Sequence, residues 1–281
     1  MLRNKLKALK ILPGLWVAMM MLSSCATLTG CKQAACVNAS HPNSDILPWN
    51  YESFVMIRMQ ITMTPETCAG ALAGTDTCTS LISALPERTV SASGSGMVVR
   101  SLPYSTFILT ADHVCRVEEN ETVNFPVGPG STVPIVIRKS MSITTVDFFG
   151  NQRSADYFSS DPTNDICLIR TRGQWGNPVS IAESLPARGE DAINVAAPMG
   201  IFNPGMVPMF RGQYLGSDYA QRHFYSIPAR PGSSGSAIMN TRGEIVGVLH
   251  SAFRGLEHMS ISSSLSSIHE LMSTIDNPDE P

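Results

Sequence analysis

Short apolar runs, each bounded by Pro, Gly or Asn, recur along the middle of the chain and predict β-strands. They are rich in β-branched and aromatic residues, the composition typical of strands. The first group comprises residues 54–63, 90–100, 104–110, 133–149 and 165–171. After the loop 172–178, the second group comprises residues 191–198, 207–216, 223–228, 236–240, 244–253 and 257–263. Two strand groups of this kind predict two packed β-barrels.

The last apolar pattern has a different period. Leu265, Ile268, Leu271 and Met272 recur at three- and four-residue steps within residues 264–275. That spacing puts them on one face of a helix, so we expect one amphipathic helix after the second strand group.

The start of the chain predicts an export signal. A basic segment, MLRNKLKALK, precedes twelve mostly apolar residues, too few for an ordinary membrane span. The next residues, Leu22 to Cys25, resemble the lipobox of bacterial lipoproteins, which implies a signal peptide at 1–24 and a lipid anchor on Cys25. Ordinary cleavage near Ala26, or an uncleaved anchor, is the alternative. We expect an exported protein of the periplasm or cell surface. In bacterial lipoproteins, which this segment resembles, an Asp directly after the lipidated Cys would hold the protein at the inner membrane, so Ala26 at that position favours the outer membrane.

Composition narrows the choice of partners. Residues 25–47 are polar and predict a tether to the membrane, while 43% of the whole chain is apolar and 15% charged, as in a globular protein. Without the signal peptide the chain keeps 16 basic against 23 acidic residues. This excess of negative charge disfavours nucleic acid as a partner.

Cysteine usage agrees with export, because disulfides persist in oxidising compartments. Six cysteines remain besides Cys25, enough for three bridges: Cys31, Cys36, Cys68, Cys78, Cys115 and Cys167. Pairing of neighbours, 31 with 36 and 68 with 78, would close short loops. Zinc is disfavoured because the chain has no CxxC pair and no histidine at ligand spacing, so we expect no metal and no cofactor.

Three separate segments carry residues suited to acyl transfer. His113 follows the third predicted strand in LTADHVC, Asp165 opens the strand NDICLIR, and Ser234 lies in PGSSGSA. A serine nucleophile needs a base to take its proton and a carboxylate to orient that base. Ser234 stands out among its neighbours because glycines lie two positions before it and directly after it.

These segments resemble the motifs of trypsin-like serine proteases. TADH is similar to TAAH, NDICLI to NDIALI, and GSSGSA to GDSGGP or to the GNSGSP of glutamyl endopeptidases. GSGMVV (94–99) resembles the family's GSGFVV strand before the histidine segment, and the triad residues occur in the family's order. The motifs are most similar to those of glutamyl endopeptidases and high-temperature-requirement protease domains. The resemblance implies an all-β fold of two packed six-stranded antiparallel barrels with a C-terminal helix. The domain would span residues 48–275, with barrels at 48–172 and 179–275.

The resemblance also implies a mechanism. Ser234 would attack the peptide carbonyl, His113 would act as base and then acid, Asp165 would orient His113, and the N–H groups of Gly232 and Ser234 would form the oxyanion hole. Proteins or peptides would be the substrates. The alternative is a binding or scaffold lipoprotein that kept the fold and lost catalysis.

Two cysteines lie close to the triad in sequence. Cys115 and Cys167 each come two residues after a triad member, His113 and Asp165. Since those members must touch, the cysteines are either bridged or two separate buried thiols, and Cα separation decides between the two.

The substrate pocket is predicted from position alone. Pro228 stands where trypsin-type enzymes have an Asp at the pocket base, which disfavours basic side chains. The walls are expected from Ala229 and Arg230 and from His250, Ser251, Ala252 and Phe253. His250 would bind an acidic side chain as in glutamyl endopeptidases, or be a wall histidine or a strand residue with no ligand role. A preference for small or medium apolar residues is equally compatible.

Overall fold

The computed structural model describes residues 51–253 and 255–276. The predicted signal peptide, the tether and the predicted pairing of residues 31 and 36 lie outside these described residues. Within them, no helix has the length and apolar character needed to cross a membrane.

The first barrel is built on two long strands that close it. The seven strands of this half are β1 (Phe54–Cys68), β2 (Arg88–Ser101), β3 (Ser105–Thr110), β4 (Asn120–Gly128), β5 (Ser131–Asp147), β6 (Gln152–Asp161) and β7 (Ile166–Arg172). Their order is β1-β2-β3-β7-β6-β5-β4, and antiparallel pairing of β1 with β5 closes the first six into a barrel. β4 pairs with the first half of β5 and extends beyond the barrel as a hairpin.

A helix and a disulfide cover the end of that hairpin. Helix α1 (Asp76–Ala84) begins at Thr75, whose hydroxyl accepts a hydrogen bond from the Cys78 N–H. The disulfide between Cys68 and Cys78 ties the end of β1 to this helix, as expected for the short loop between them. Both cysteines pack with Val133 and Ile135 of β5 in a small core of their own.

The second barrel is closed by six antiparallel strands. They are β8 (Asp191–Val195), β9 (Met209–Ser217), β10 (His223–Tyr225), β11 (Ala237–Met239), β12 (Ile245–Phe253) and β13 (Leu256–Ser262), in the order β10-β13-β12-β11-β8-β9. Its interior is filled by buried aromatic and branched side chains such as Tyr225, Ile238 and Val246. With the first barrel, it confirms the predicted fold class.

The two barrels share one apolar core with the last helix. Helix α3 (Leu265–Asp276) begins after Ser264, whose hydroxyl accepts a hydrogen bond from the Ser267 N–H. Its buried Ile268 packs in a cluster that also contains Phe54 of the first barrel and Val248 of the second. The helix therefore packs against both barrels in the core that they share.

Strands that face a core were predicted and strands that face solvent were missed. All six runs of the second group contain or overlap an observed strand, and the first group yielded five of seven. The missed strand β4 is almost entirely exposed, and β6 is mostly polar with Ala155 as its one buried residue, so no continuous apolar pattern marks either strand. Helix α1 was also missed, because it buries few side chains and Cys78 alone fully.

Candidate active site

His113 lies on a single helical turn directly after β3. This turn is α2 (Asp112–Cys115), and the His113 side chain is 49% exposed. The neighbouring acid, Asp112, points inward and accepts hydrogen bonds from the Arg116 guanidinium at 2.9 and 3.0 Å. Asp112 is thus engaged by Arg116, and the imidazole takes its carboxylate partner from another strand.

That partner is Asp165, at the start of β7. The His113 Nδ1 lies 2.8 Å from Asp165 Oδ2 and 3.0 Å from Oδ1, and the His113 backbone N–H donates to Oδ1 at 3.1 Å. Burial alone would raise the pKa of the Asp165 carboxyl, but the hydrogen bonds and charge of His113, together with His250, outweigh it and lower the pKa. The carboxylate is therefore ionised at neutral pH.

Asp165 reaches His113 through an unusual backbone conformation. Its φ is +51°, a left-handed value that Asp tolerates better than most residues. The next residues pair with β3, with Cys167 opposite Thr110.

Cys115 and Cys167 form a disulfide with a Cα separation of 6.6 Å, which decides between the two alternatives left open by sequence. The bridge staples α2, which carries His113, to the strand that follows Asp165.

The turn that carries Ser234 packs against the same part of the first barrel. A Cβ atom on Gly94 would lie 2.6 Å from Val114 and 3.3 Å from the Ser234 carbonyl oxygen, so Gly94 separates the neighbour of His113 from Ser234. A Cβ atom on Gly235 would lie 2.9 Å from the Ala111 nitrogen. These glycines allow the backbone at Ser234 to approach residues 110–114, the segment that carries His113.

The backbone around Gly232 turns N–H groups outward. Gly232 has φ +93°, and a Cβ there would lie 2.5 Å from the Ala197 carbonyl oxygen, so a side chain would be strained. The Pro231 carbonyl accepts a hydrogen bond from the Met199 N–H at 2.6 Å. Within residues 51–253 and 255–276, the N–H groups of Gly232 and Ser234 donate to no protein acceptor.

A cavity opens beside Ser234. Its volume is about 410 Å³, and its lining includes Ala229, Arg230, Ser234, Leu249, Ser251 and Phe253. Five of the seven predicted pocket residues line it, and Pro228 and His250 do not; the five are Ala229, Arg230, Ser251, Ala252 and Phe253. The wall is largely small or apolar, with the Arg230 side chain exposed at it.

His250 faces the triad carboxylate instead of the cavity. Its Nδ1 lies 3.8 Å from Asp165 Oδ2, and its side chain is 17% exposed. Burial lowers the pKa of the His250 imidazole, and the opposing charge of Asp165 does not outweigh it. In the described part of the chain, no three His, Cys, Asp or Glu side chains gather as a metal site.

The sequence profile of the trypsin-like peptidase domain matches residues 94–248, more than half of the chain. The chain belongs to this family. The matched stretch includes His113, Asp165 and Ser234 together with the strands that position them.

Three solved structures share this fold at low sequence identity. The serine endoprotease from Yersinia pestis superimposes with a TM-score of 0.55 at 14% identity, covering 84% of this chain and 67% of that one. An HtrA-type protease, AlgW, determined with a tripeptide, gives 0.55 at 13% identity over 84% of this chain and 64% of its own. Rv3671c from M. tuberculosis, an inactive mutant form, gives 0.51 at 13% identity over 86% and 96%. At these identities the likeness is one of fold.

One curated relative matches in sequence. It is described as uncharacterized protein y4bJ of Sinorhizobium fredii and is 29% identical over 117 residues. That match covers 40% of this chain and 18% of the relative, so the match spans about a fifth of the relative's length.

Sequence reasoning missed two residues that hold this trypsin-like site together. Ser95 is fully buried between Gly94 and Gly96 and bonds to the turn of Ser234, and Met199 bonds to Pro231. The two glycines around Ser95 were a signal of close backbone packing. No sequence signal marks Met199, because its backbone N–H, and not its side chain, makes the hydrogen bond to Pro231.

Proposed function

We propose that this member of the trypsin-like peptidase family is an active serine endopeptidase that hydrolyses peptide bonds through an acyl-enzyme. The observation that carries the proposal is the hydrogen-bonded pair of His113 and Asp165. The turn of Ser234 packs against the segment that carries His113, and within the described residues its Gly232 and Ser234 N–H groups have no protein acceptor. A protein that had lost catalysis would have no need to keep this combination.

The hydrogen bonds imply which atom of His113 is the base. Because Nδ1 bonds to the Asp165 carboxylate, that nitrogen carries the proton and Nε2 keeps its lone pair. Nε2 takes the Ser234 hydroxyl proton as Oγ forms a bond to the substrate carbonyl carbon. The ionised Asp165 stabilises the imidazolium that results.

The turn of Ser234 supplies the remaining part. Negative charge develops on the carbonyl oxygen as the bond to Oγ forms, and the N–H groups of Gly232 and Ser234 are the donors for it. Imidazolium then gives its proton to the leaving amine as the carbon–nitrogen bond breaks. Water, activated by His113, hydrolyses the ester and restores Ser234.

A fluorophosphonate probe tests this activity directly. We expect the full chain to be labelled, Ser234→Ala to lose the label, and Ser233→Ala, which removes the adjacent hydroxyl, to retain it. Equal labelling of wild type and Ser234→Ala, or none of either, would favour the inactive scaffold.

The cavity supports a substrate residue of small or medium apolar character before the cleaved bond. Ala229, Leu249 and Phe253 contribute to its lining, whereas the His250 ring lies 3.8 Å from the Asp165 carboxylate. A peptide library cleaved by the full chain should show this preference, and His250→Ala should affect all substrates alike. A selective loss of cleavage after Glu would instead assign His250 to the recognition of acidic side chains.

We further propose that the enzyme works in the cell envelope, exported and lipid-anchored through Cys25. The two disulfides support export, because such bridges persist in oxidising compartments. Metabolic labelling with a palmitate analogue should modify the wild type and spare Cys25→Ala. A labelled Cys25→Ala variant would refute the anchor.

A further inference from the structure

Ser95 lies where three segments of the site meet. It is on β2, fully buried, and all of its polar groups are bonded. Its N–H donates to the Ser234 carbonyl at 2.8 Å, and its own carbonyl accepts from the Thr110 hydroxyl at 2.8 Å. The backbone of Ser95 thus joins the nucleophile turn to the end of the strand before His113.

The Ser95 hydroxyl makes a second connection. It donates to the Gly232 carbonyl at 2.8 Å and accepts from the Ala197 N–H at 3.0 Å. Ala197 opens the short 3-10 turn Pro198–Gly200 that contains Met199. One hydroxyl therefore links the turn of Met199 to the turn of Gly232.

Met199 holds the adjacent peptide from the other side. Its N–H bonds to the Pro231 carbonyl at 2.6 Å, and its φ of +55° is unusual for a side chain of this size. Its side chain is 69% exposed, so burial of that side chain does not explain the conformation. The bond to Pro231 is what the strained backbone provides.

Peptide planarity connects these bonds to the oxyanion hole. In a trans peptide the C=O and the following N–H point in opposite directions. A Pro231 carbonyl held toward Met199 therefore directs the Gly232 N–H away from Met199. Rotation of this peptide would break the bond to Met199 and put the carbonyl oxygen where the donor belongs. The Ser95 hydroxyl holds the next peptide, Gly232–Ser233, by its carbonyl and so fixes the other side of Gly232.

We propose that the Met199 N–H and the Ser95 hydroxyl form a clamp that holds the two peptides flanking Gly232, Pro231–Gly232 and Gly232–Ser233, in the orientation needed to bind the oxyanion. Ser95 and Met199 are positioning residues, since neither touches substrate. This inference rests on the proposed peptidase function and adds the residues that keep its oxyanion hole open.

Kinetics of Ser95→Ala in the full chain test the clamp. Misplacement of a donor by about 1 Å costs on the order of 10² in rate, so we expect kcat to fall by about that factor. KM should change little, because the cavity is intact. Affinity for a peptide boronic acid, whose tetrahedral adduct needs the hole, should fall in parallel with kcat. Ser93→Ala, two residues earlier on the same strand, is the matched control and should keep wild-type kcat.

A second pair of variants covers the case in which Ser95→Ala fails to fold. Met199→Pro removes the clamping N–H from an exposed site, whereas Met199→Gly keeps it and accepts a positive φ. We expect Met199→Pro to lose far more kcat than Met199→Gly. Equal losses, or an unchanged kcat in folded Ser95→Ala, would overturn the clamp.

Amide hydrogen exchange gives a readout that needs no activity. The Met199 amide should exchange at least about tenfold faster in Ser95→Ala than in wild type or Ser93→Ala, because its acceptor is no longer held. Unchanged exchange contradicts the clamp even where kcat falls. Absence of turnover and labelling in wild type would defeat the proposed function, while exchange would still decide the role of Ser95.

Discussion

The two barrels contribute different kinds of chemistry and hold it in different ways. The first supplies His113 and Asp165 from adjacent strands, joined by side-chain hydrogen bonds and the Cys115–Cys167 disulfide. The second supplies Ser234 and the cavity, and bonds involving backbone groups attach its turn to Ser95 of the first barrel. The acid–base pair is thus internal to one barrel, whereas its alignment with the nucleophile depends on the contact between barrels.

The largest expected effect tests the pair inside the first barrel. Asp165→Asn should lower kcat by about 10⁴, because an amide no longer favours the Nδ1–H tautomer of His113. Steady-state kinetics on a peptide substrate measure this loss.

Asp112→Asn is the matched control, since that acid lies next to His113 in sequence but bonds to Arg116. We expect a small change in its kcat. A loss as large as that of Asp165→Asn would mean that Asp112 also serves the imidazole.

The next effect concerns the contact between barrels. Ile268→Ala in α3 should lower the free energy of unfolding by about 2–5 kcal/mol, because it opens a cavity in the core shared by both barrels. Urea denaturation measures the loss. Glu270→Ala, on the exposed side of the same helix, should change stability far less. Similar losses in Ile268→Ala and Glu270→Ala would show that packing of α3 in the shared core is unimportant.

The two disulfides of the first half should differ in their contribution to stability. Their cysteines are 52 and 10 residues apart, so loop entropy alone makes the Cys115–Cys167 bridge more stabilising by about 1.5 kcal/mol. Denaturation of the two double Cys→Ala variants compares them.

Activity separates the same two variants. Removal of the bridge beside His113 should lower kcat, while removal of Cys68–Cys78 should leave it near wild type, because that bridge lies with α1 and β4. A loss of kcat only in the variant that lacks Cys68–Cys78 would show that the Cys115–Cys167 disulfide does not position His113.

The smallest effect is a pH dependence that belongs to the second barrel. Burial lowers the pKa of both His223 and His250 in the folded chain, against opposing charges of Asp218 and Asp165 respectively. As pH falls below about 6.5, the unfolded chain takes up protons that the folded chain does not, so stability should decrease. Unfolding free energies at pH 8 and pH 5 measure this change.

His223→Gln tests one of the two contributions. The variant cannot take up the proton, so its stability should depend less on pH over the same interval than that of wild type. An unchanged dependence would show that His223 does not contribute. His258→Gln, at an exposed position of β13, is the control.

The apolar pattern predicted the second barrel better than the first for a physical reason. Strands such as β11 and β12 are buried, so burial leaves a mark on their composition. β4 is held by backbone hydrogen bonds to β5, and β6 by those to β5 and β7, while β4 is exposed and β6 buries Ala155 alone. Backbone pairing of that kind is independent of side-chain identity, and an alternation rule misses it.

The position of His250 shows where motif spacing stops being informative. Its place in the sequence left open the recognition of an acidic side chain, a wall residue or a strand residue with no ligand role. In the structure its ring lies near Asp165 and outside the lining of the cavity. The direction of a side chain on a strand depends on local register, and β12 pairs with β13 through irregular steps near residues 249–251. The number of residues between two motifs does not reveal such a register shift, so it does not predict the direction of the His250 side chain.

The sequence by itself determined which groups are available for chemistry: one imidazole, one carboxylate and one serine between glycines, each in a recognisable local motif and in a consistent order. Tertiary structure alone decided how they are held. The left-handed backbone of Asp165 and Met199 and the hydroxyl of Ser95 have roles only because distant segments press against them. A residue's side-chain chemistry can be read from its local sequence, whereas backbone strain and peptide orientation arise from contacts across the two barrels.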